Sequence, residues 1–301
     1  MTTRSGRVPA QEIRQRMLDA GRDLALEAGA ALTIEHLRLE EVIQRAKVPR
    51  SSAYRVWPFK EDYTDDLLCY LAGAGSWFSD RSVLSPDTSS AVRQLITDNQ
   101  PLLATEDGRR ALLREVVRVT ADRNYRALSD SLQWRLHMAL VATLGSTRTG
   151  AARRKIAASL EAAQSRSREV MVGLFGIVAT ELGLRPRDPA LTIEHLQLAG
   201  GLFIQSMALR NVQVQTALAG DSVDDGLVDD NSADDGLVDD GLAPEADAVR
   251  HVDGLLNTSI PGPGLRGGTA PWSLAALGYL GMVEAFVELD PDFVPPGAAR
   301  P

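Results

Sequence analysis

Along most of the chain, apolar residues return at every third or fourth position, the spacing of one face of a helix. Ile13, Met17, Leu18, Gly21, Leu24, Ala25 and Ala28 make the first stripe, which opens at Pro9 and stops at Gly29. Leu39, Val42, Ile43 and Ala46 predict a short second helix over 39–46. Pro49 opens a third, at a first-turn position where proline is tolerated, and Pro58 cuts it just beyond Val56. A fourth starts near Lys60 and carries Tyr63, Leu67, Leu68 and Leu71 on one face. After a loop around 79–87, the same spacing predicts long helices over 88–104, 108–122, 125–144, 150–182 and 189–218, and a last one over 272–289. No segment alternates as a strand does. The predicted fold class is all-α, with a flexible arm (1–8), a small helical domain (9–72) and a larger helical domain (73–301).

Residues 219–270 break the pattern. Asp224-Asp225-Gly226-Leu227-Val228-Asp229-Asp230 recurs ten residues later as Asp234-Asp235-Gly236-Leu237-Val238-Asp239-Asp240. Asp-Gly pairs resemble calcium loops. An EF-hand loop, however, needs alternating oxygen ligands and a closing Glu, and the repeat has neither. The stretch therefore reads as a disordered acidic insertion in the larger domain. A second echo, Leu32 to Leu37 against Leu191 to Leu196, has unmatched flanks and is treated as coincidence.

Composition changes this picture in three ways. The net charge of −8 argues against a polyanion partner until it is dissected. Residues 221–247 hold ten Asp and one Glu without a Lys or Arg, so the rest of the chain carries +3. Residues 1–60 hold eleven Lys or Arg against seven Asp or Glu, which makes the N-terminal end basic. One cysteine, Cys69, excludes an internal disulfide and a cysteine-clustered zinc site, and no metal or cofactor is expected. No apolar run reaches the ~18 to 20 residues of a membrane helix. The longest candidate, Val170 to Ala179, is interrupted by two glycines. Arg4 and Arg7 precede no apolar run, so no secretory leader is expected. The chain is expected in the cytoplasm.

The chemistry concentrates between Leu39 and Tyr63, in LEEVIQRAKVPRSSAYRVWPFKEDY. A helix that reads DNA must be short, amphipathic and free of acids on its outer face. Arg50, Ser51, Ser52 and Arg55 meet that demand, and no carboxylate lies between Lys47 and Lys60. Arginine can bond a guanine edge in two places, and serine can serve a base or a phosphate. Tyr54 adds a ring and a hydroxyl. Lys60 sits at a helix start, where free backbone amides also favour phosphate.

Val42, Ala46, Val48, Tyr54, Arg55, Trp57, Pro58, Lys60 and Glu61 fall in register with a family pattern, and the stretch from Gln11 to Leu68 resembles the DNA-binding domain of the TetR family of bacterial regulators. The resemblance implies a helix-turn-helix domain. Arg50, Ser51 and Ser52 would read bases, and Tyr54, Arg55 and Lys60 would hold the DNA backbone. Arg38 and Lys47 complete the expected DNA-binding set. Three residues depart from the pattern. Lys47 replaces a Gly at a turn position that favours positive φ, Pro49 replaces a helix-starting Ser, and Arg38 replaces a capping Thr or Ser.

The resemblance further implies a larger domain that binds a small molecule and forms a homodimer through two helices, here 189–218 and 272–289. Candidate ligand contacts are Arg118, Tyr125, Trp134, His137, Met138 and Phe175. The expected function is a ligand-responsive regulator of transcription, a repressor on double-stranded operator DNA in the nucleoid. The alternative is a ligand-binding or protein-interaction module with a degenerate DNA head. Enzyme readings find no support. The chain has no Gly-rich phosphate loop, no Gly-x-Ser-x-Gly elbow and no His-Glu-x-x-His, and its four histidines are scattered.

Overall fold

The computed structural model of the chain describes residues 9–27, 37–73, 86–144, 150–224 and 243–295. These residues are mostly helical, with eleven α-helices and four short strands among them. They divide into two compact bodies. The first holds α1 (Ala10–Glu27), α2 (Leu39–Ala46), α3 (Arg50–Val56), α4 (Lys60–Gly73), α7 (Leu132–Thr143) and residues 150–167 of α8 (Gly150–Leu182). The body thus extends past residue 72, the expected domain boundary.

In the first body, α1 turns Ile13, Met17 and Leu24 inward against Val42, Val48, Ala53, Tyr63 and Leu67. Burying each large apolar side chain contributes about 1.5–3 kcal/mol. Gly21 lets α4 approach α1, because a Cβ there would stand 2.2 Å from the Tyr63 hydroxyl oxygen. That hydroxyl donates to the Met17 carbonyl at 3.0 Å. Trp57 is buried edge-on to Tyr63, with ring centroids 5.2 Å apart. Its indole N–H donates to Asp66 at 2.7 Å, and Asp66 also pairs with Arg14 at 2.6 Å and Lys155 at 3.2 Å. Leu136 and Leu140 of α7 close this core.

The second body holds α5 (Pro86–Asp98), a 3-10 turn (Gln100–Ala104), α6 (Glu106–Asp130) and residues 168–182 of α8. It continues through β1 (Leu184–Pro186), α9 (Ile193–Asp224), α10 (Ala243–Asn257), β2 (Ser259–Pro263), β3 (Thr269–Ser273), α11 (Leu274–Phe286) and β4 (Val287–Leu289). α6, α9 and α11 pack on one another. α9 and α11 exchange aromatic rings for glycines. A Cβ on Gly200 would meet Tyr279 at 2.3 Å, and one on Gly278 would meet Phe203 at 2.3 Å. β1 and β4 pair antiparallel, Leu184 opposite Leu289. Buried Arg109 donates to the carbonyls of Leu182, Gly183 and Asp290 beside this pair and lies 4.8 Å from the Phe293 ring centre.

Several expectations need correction. The described residues are mostly helical, as the all-α reading expects, but the expectation of no strands missed both two-stranded ladders, β1–β4 and β2–β3. The stretch 219–270 is not a continuous disordered insertion, since it contains the end of α9, all of α10 and most of the β2–β3 hairpin. The break expected near residue 124 falls instead at Ser131, whose side chain accepts the Trp134 N–H and caps α7. The helix predicted over 88–104 ends at Asp98 and resumes as the 3-10 turn. The last helix is shorter than 272–289, because Trp272 belongs to β3 and Val287 to Leu289 form β4. Pro49 stands one residue before α3 rather than in its first turn. The arm 1–8, the stop at Gly29, much of the 79–87 loop and the repeat from Asp225 onward lie outside the described residues.

Candidate nucleic-acid interface and ligand cavity

The turn between α2 and α3 is built around Lys47. Its backbone is left-handed, with φ 52° and ψ 43°, and its N–H bonds back to the carbonyls of Gln44 and Ile43. This is a conformation that glycine adopts freely and that strains any other residue. Val48 then buries, and the Pro49 carbonyl accepts the N–H groups of Ser52 and Ala53 at 2.9 and 3.1 Å. With Ala53 buried, α3 turns Arg50, Ser51 and Arg55 to solvent, while Ser52 and Tyr54 are half-buried. Arg38, Lys47 and Lys60 are exposed as well. Arg38 precedes α2, and its side chain makes no cap bond. All eight expected DNA-contact residues therefore belong to one body, and six of them are exposed. Phe59, next to Lys60, is 67% exposed.

The fold adds an acid that the linear pattern does not show. Glu40 of α2 accepts the Tyr54 hydroxyl at 3.0 Å and pairs with Arg50 at 3.2 Å. The Arg50 guanidinium carbon lies 5.5 Å from the Tyr54 ring centre. The Glu40 carboxyl is held below the usual carboxylate range, first by its own backbone N–H and then by the Tyr54 hydroxyl. The outer face of α3 is thus cationic with one embedded carboxylate. Glu40 was findable only as the residue two positions into α2 that the turn folds back toward α3.

The six expected ligand contacts do not gather in one place. Trp134, His137 and Met138 ride on α7 in the first body, and Trp134 and His137 are buried there. Burial pulls the His137 imidazole down to about 4. Arg118 and Tyr125 line a polar cavity of about 330 Å³ between α6, the end of α10 and β3 in the second body. Arg118 is paired there with Glu115 at 2.6 Å and donates to the Pro271 carbonyl at 3.3 Å. Arg126 pairs with Asp122 at 2.8 Å, so the charges of this cavity largely answer one another.

Phe175 lines a different cavity, enclosed by α5, α6, α8, α9 and α11 in the second body. Its walls are apolar, among them Leu113, Val117, Leu174, Ile204 and Val283, and no charged side chain lines it. The Phe175 and Tyr279 rings stack there, 6.5 Å apart. Three polar side chains line it. Thr120 spends its hydroxyl on the Val116 carbonyl at 2.7 Å. The Asn124 amide and the Tyr279 hydroxyl have no hydrogen-bond partner among the described residues.

No family model, no curated protein and no solved structure matches the chain.

Two sites among the described residues carry recognisable chemistry. The first is an exposed cationic surface that can meet phosphates and base edges. The second is an uncharged cavity with two unanswered polar groups, the usual composition of a small-molecule site. Its free volume is about 60 Å³, small for such a site. Sequence reasoning missed Asn124 and Tyr279, which only the packing of α6 and α11 sets on a common cavity. Among the described residues no helix is long and apolar enough to cross a membrane. No group of three or more His, Cys, Asp or Glu able to hold a metal ion occurs among them either.

Proposed function

We propose that the protein is a ligand-responsive, DNA-binding regulator of transcription, a repressor resembling the TetR family, with α2 and α3 as its helix-turn-helix. The observation that carries this reading is the exposed α3, cationic on its outer face and held by a left-handed turn at Lys47. Arg50, Ser51 and Ser52 read base edges in the major groove, and Arg38, Lys47, Tyr54, Arg55 and Lys60 take the phosphates. A homodimer presents two such heads to successive turns of operator DNA. Leu198, Leu202 and Leu209 support it, as they form an exposed apolar stripe along α9 within 189–218. The 272–289 segment offers less, because Tyr279, Leu280 and Val283 are spent inside the second body. The protein acts in the cytoplasm, on nucleoid DNA.

The effector is an uncharged, largely apolar molecule carrying one or two hydrogen-bonding groups. An ion would be stripped of water in the Phe175–Tyr279 cavity and find no counter-charge. Because the cavity is narrow, an effector must spread the helices that line it. The spread and unspread states then differ in effector affinity, the condition for an allosteric shift. Fluorescence anisotropy with the DNA upstream of the protein's own gene, against scrambled DNA over a salt series, tests the reading. The expected result is selective binding that weakens steeply with salt. Neutral apolar compounds should release the DNA, and Tyr279→Phe should blunt that release. Equal, weak binding to both DNAs, together with no sequence enriched from genomic fragments, would favour the degenerate-head alternative.

A further inference from the structure

Glu40 stands inside the surface just assigned to DNA, where a carboxylate should hinder binding. Its side chain is 54% exposed and that of Arg50 is 69% exposed. An exposed pair of this kind adds little to stability, so its consequence must lie in what it does to Arg50 and Tyr54. A flexible arginine beside DNA meets phosphates first, and that attraction carries no sequence information. The carboxylate opposes it twice. It repels phosphate, and it ties down one Arg50 nitrogen at 3.2 Å and the Tyr54 hydroxyl at 3.0 Å. The Tyr54 ring then carries the guanidinium, with 5.5 Å from carbon to ring centre. What stays available is the rest of a planar, pre-oriented donor fork, the shape that matches the O6 and N7 acceptors of guanine.

We propose that Glu40 is a positioning residue that sets DNA sequence preference: it holds Arg50 and Tyr54 in a fixed cluster and keeps phosphate off the guanidinium, so that Arg50 meets a guanine edge. This rests on the DNA-binding reading above. Glu40→Gln keeps the shape and removes the charge, and Tyr54→Phe removes the hydroxyl, and with it both the bond to Glu40 and the phosphate contact assigned to Tyr54.

The test selects duplexes from a randomised library with the full-length wild type. Binding of the enriched and a scrambled duplex is then measured over a salt series. Glu40→Gln should bind scrambled DNA several-fold tighter, with a salt slope steeper by up to about one. Its preference for the enriched over the scrambled duplex should fall by roughly fivefold or more. Tyr54→Phe should lower the preference by less. In an Arg50→Ala background, Glu40→Gln should no longer change the preference, an outcome that a purely structural role for Glu40 does not produce. If the wild type enriches a sequence and Glu40→Gln keeps the same preference, the proposal is overturned and the DNA-binding reading stands. If the wild type enriches none, both fall.

Discussion

The candidate sites of the two bodies treat polar groups in opposite ways. In the first, charges cluster and answer one another near the surface. Asp66 takes Trp57, Arg14 and Lys155, and Glu40 takes Arg50 and Tyr54. In the second, charges are kept out of the Phe175–Tyr279 cavity, and two neutral polar groups there stay unanswered. The first arrangement suits a surface that trades its own partners for those of a polyanion. The second suits a space that waits for a neutral molecule. The difference teaches that stability and recognition are separable in the first body, whose candidate DNA contacts are mostly exposed, and entangled in the second, whose candidate contacts are half-buried or buried.

The largest expected break of this comparison is Gly183→Ala in the second body. Gly183 has φ +60°, and a Cβ there would stand 2.2 Å from the Phe293 ring. Strain and overlap together should cost about 3 kcal/mol, seen as a lower denaturation midpoint. Gly173→Ala in α8 is the control, since nothing lies within 4 Å of its Cβ, and it should not destabilise.

A pH series probes the first body. The folded His137 imidazole sits at about 4, below the 6.5 of a free one. The unfolded chain therefore takes up the proton first. Its contribution is complete above pH 6.5 and drains away as pH falls toward 4, amounting to about 2 kcal/mol lost at pH 5. Urea unfolding at pH 7.5 and pH 5 measures it. An equal loss in His137→Leu would assign the effect to other groups.

The smallest effect sharpens the contrast most. Lys47→Gly relieves the left-handed backbone and should raise stability by about 1 kcal/mol. The same change removes a cation from the surface proposed to meet DNA and should weaken DNA binding, with a shallower salt slope. Stability and affinity moving in opposite directions is what separability predicts for this body.

Much of the helical pattern was legible because each stripe is local. α2 and α8 have the boundaries that periodicity and their flanking residues predict, 39–46 and 150–182. The positive φ at Lys47 was also legible, as a turn position where the resemblance expects a glycine. The α6–α7 break was not, because the periodicity runs nearly unbroken across it and the only stop signal is one serine cap. The β2–β3 hairpin was hidden by its prolines. Pro261 opposite Pro271 looks like a breaker, yet a two-stranded ladder has an outer edge on each strand where a missing N–H costs nothing. Packing Trp272 against Gly262, with its indole N–H on the Pro263 carbonyl, holds it closed. Glu40, Asn124 and Tyr279 were invisible for a common reason. Their significance comes from partners far along the chain or from the absence of one.

The β1–β4 pair has a consequence for how the chain is made. Arg185 and its partner Glu288 are 103 positions apart. At about 5–20 residues per second, a ribosome releases β1 roughly 5–20 s before its partner strand exists. Throughout that interval Arg109 lacks the Asp290 carbonyl and the Phe293 ring that complete its setting. The second body therefore stays open until β4 and the residues through Phe293 have left the exit tunnel.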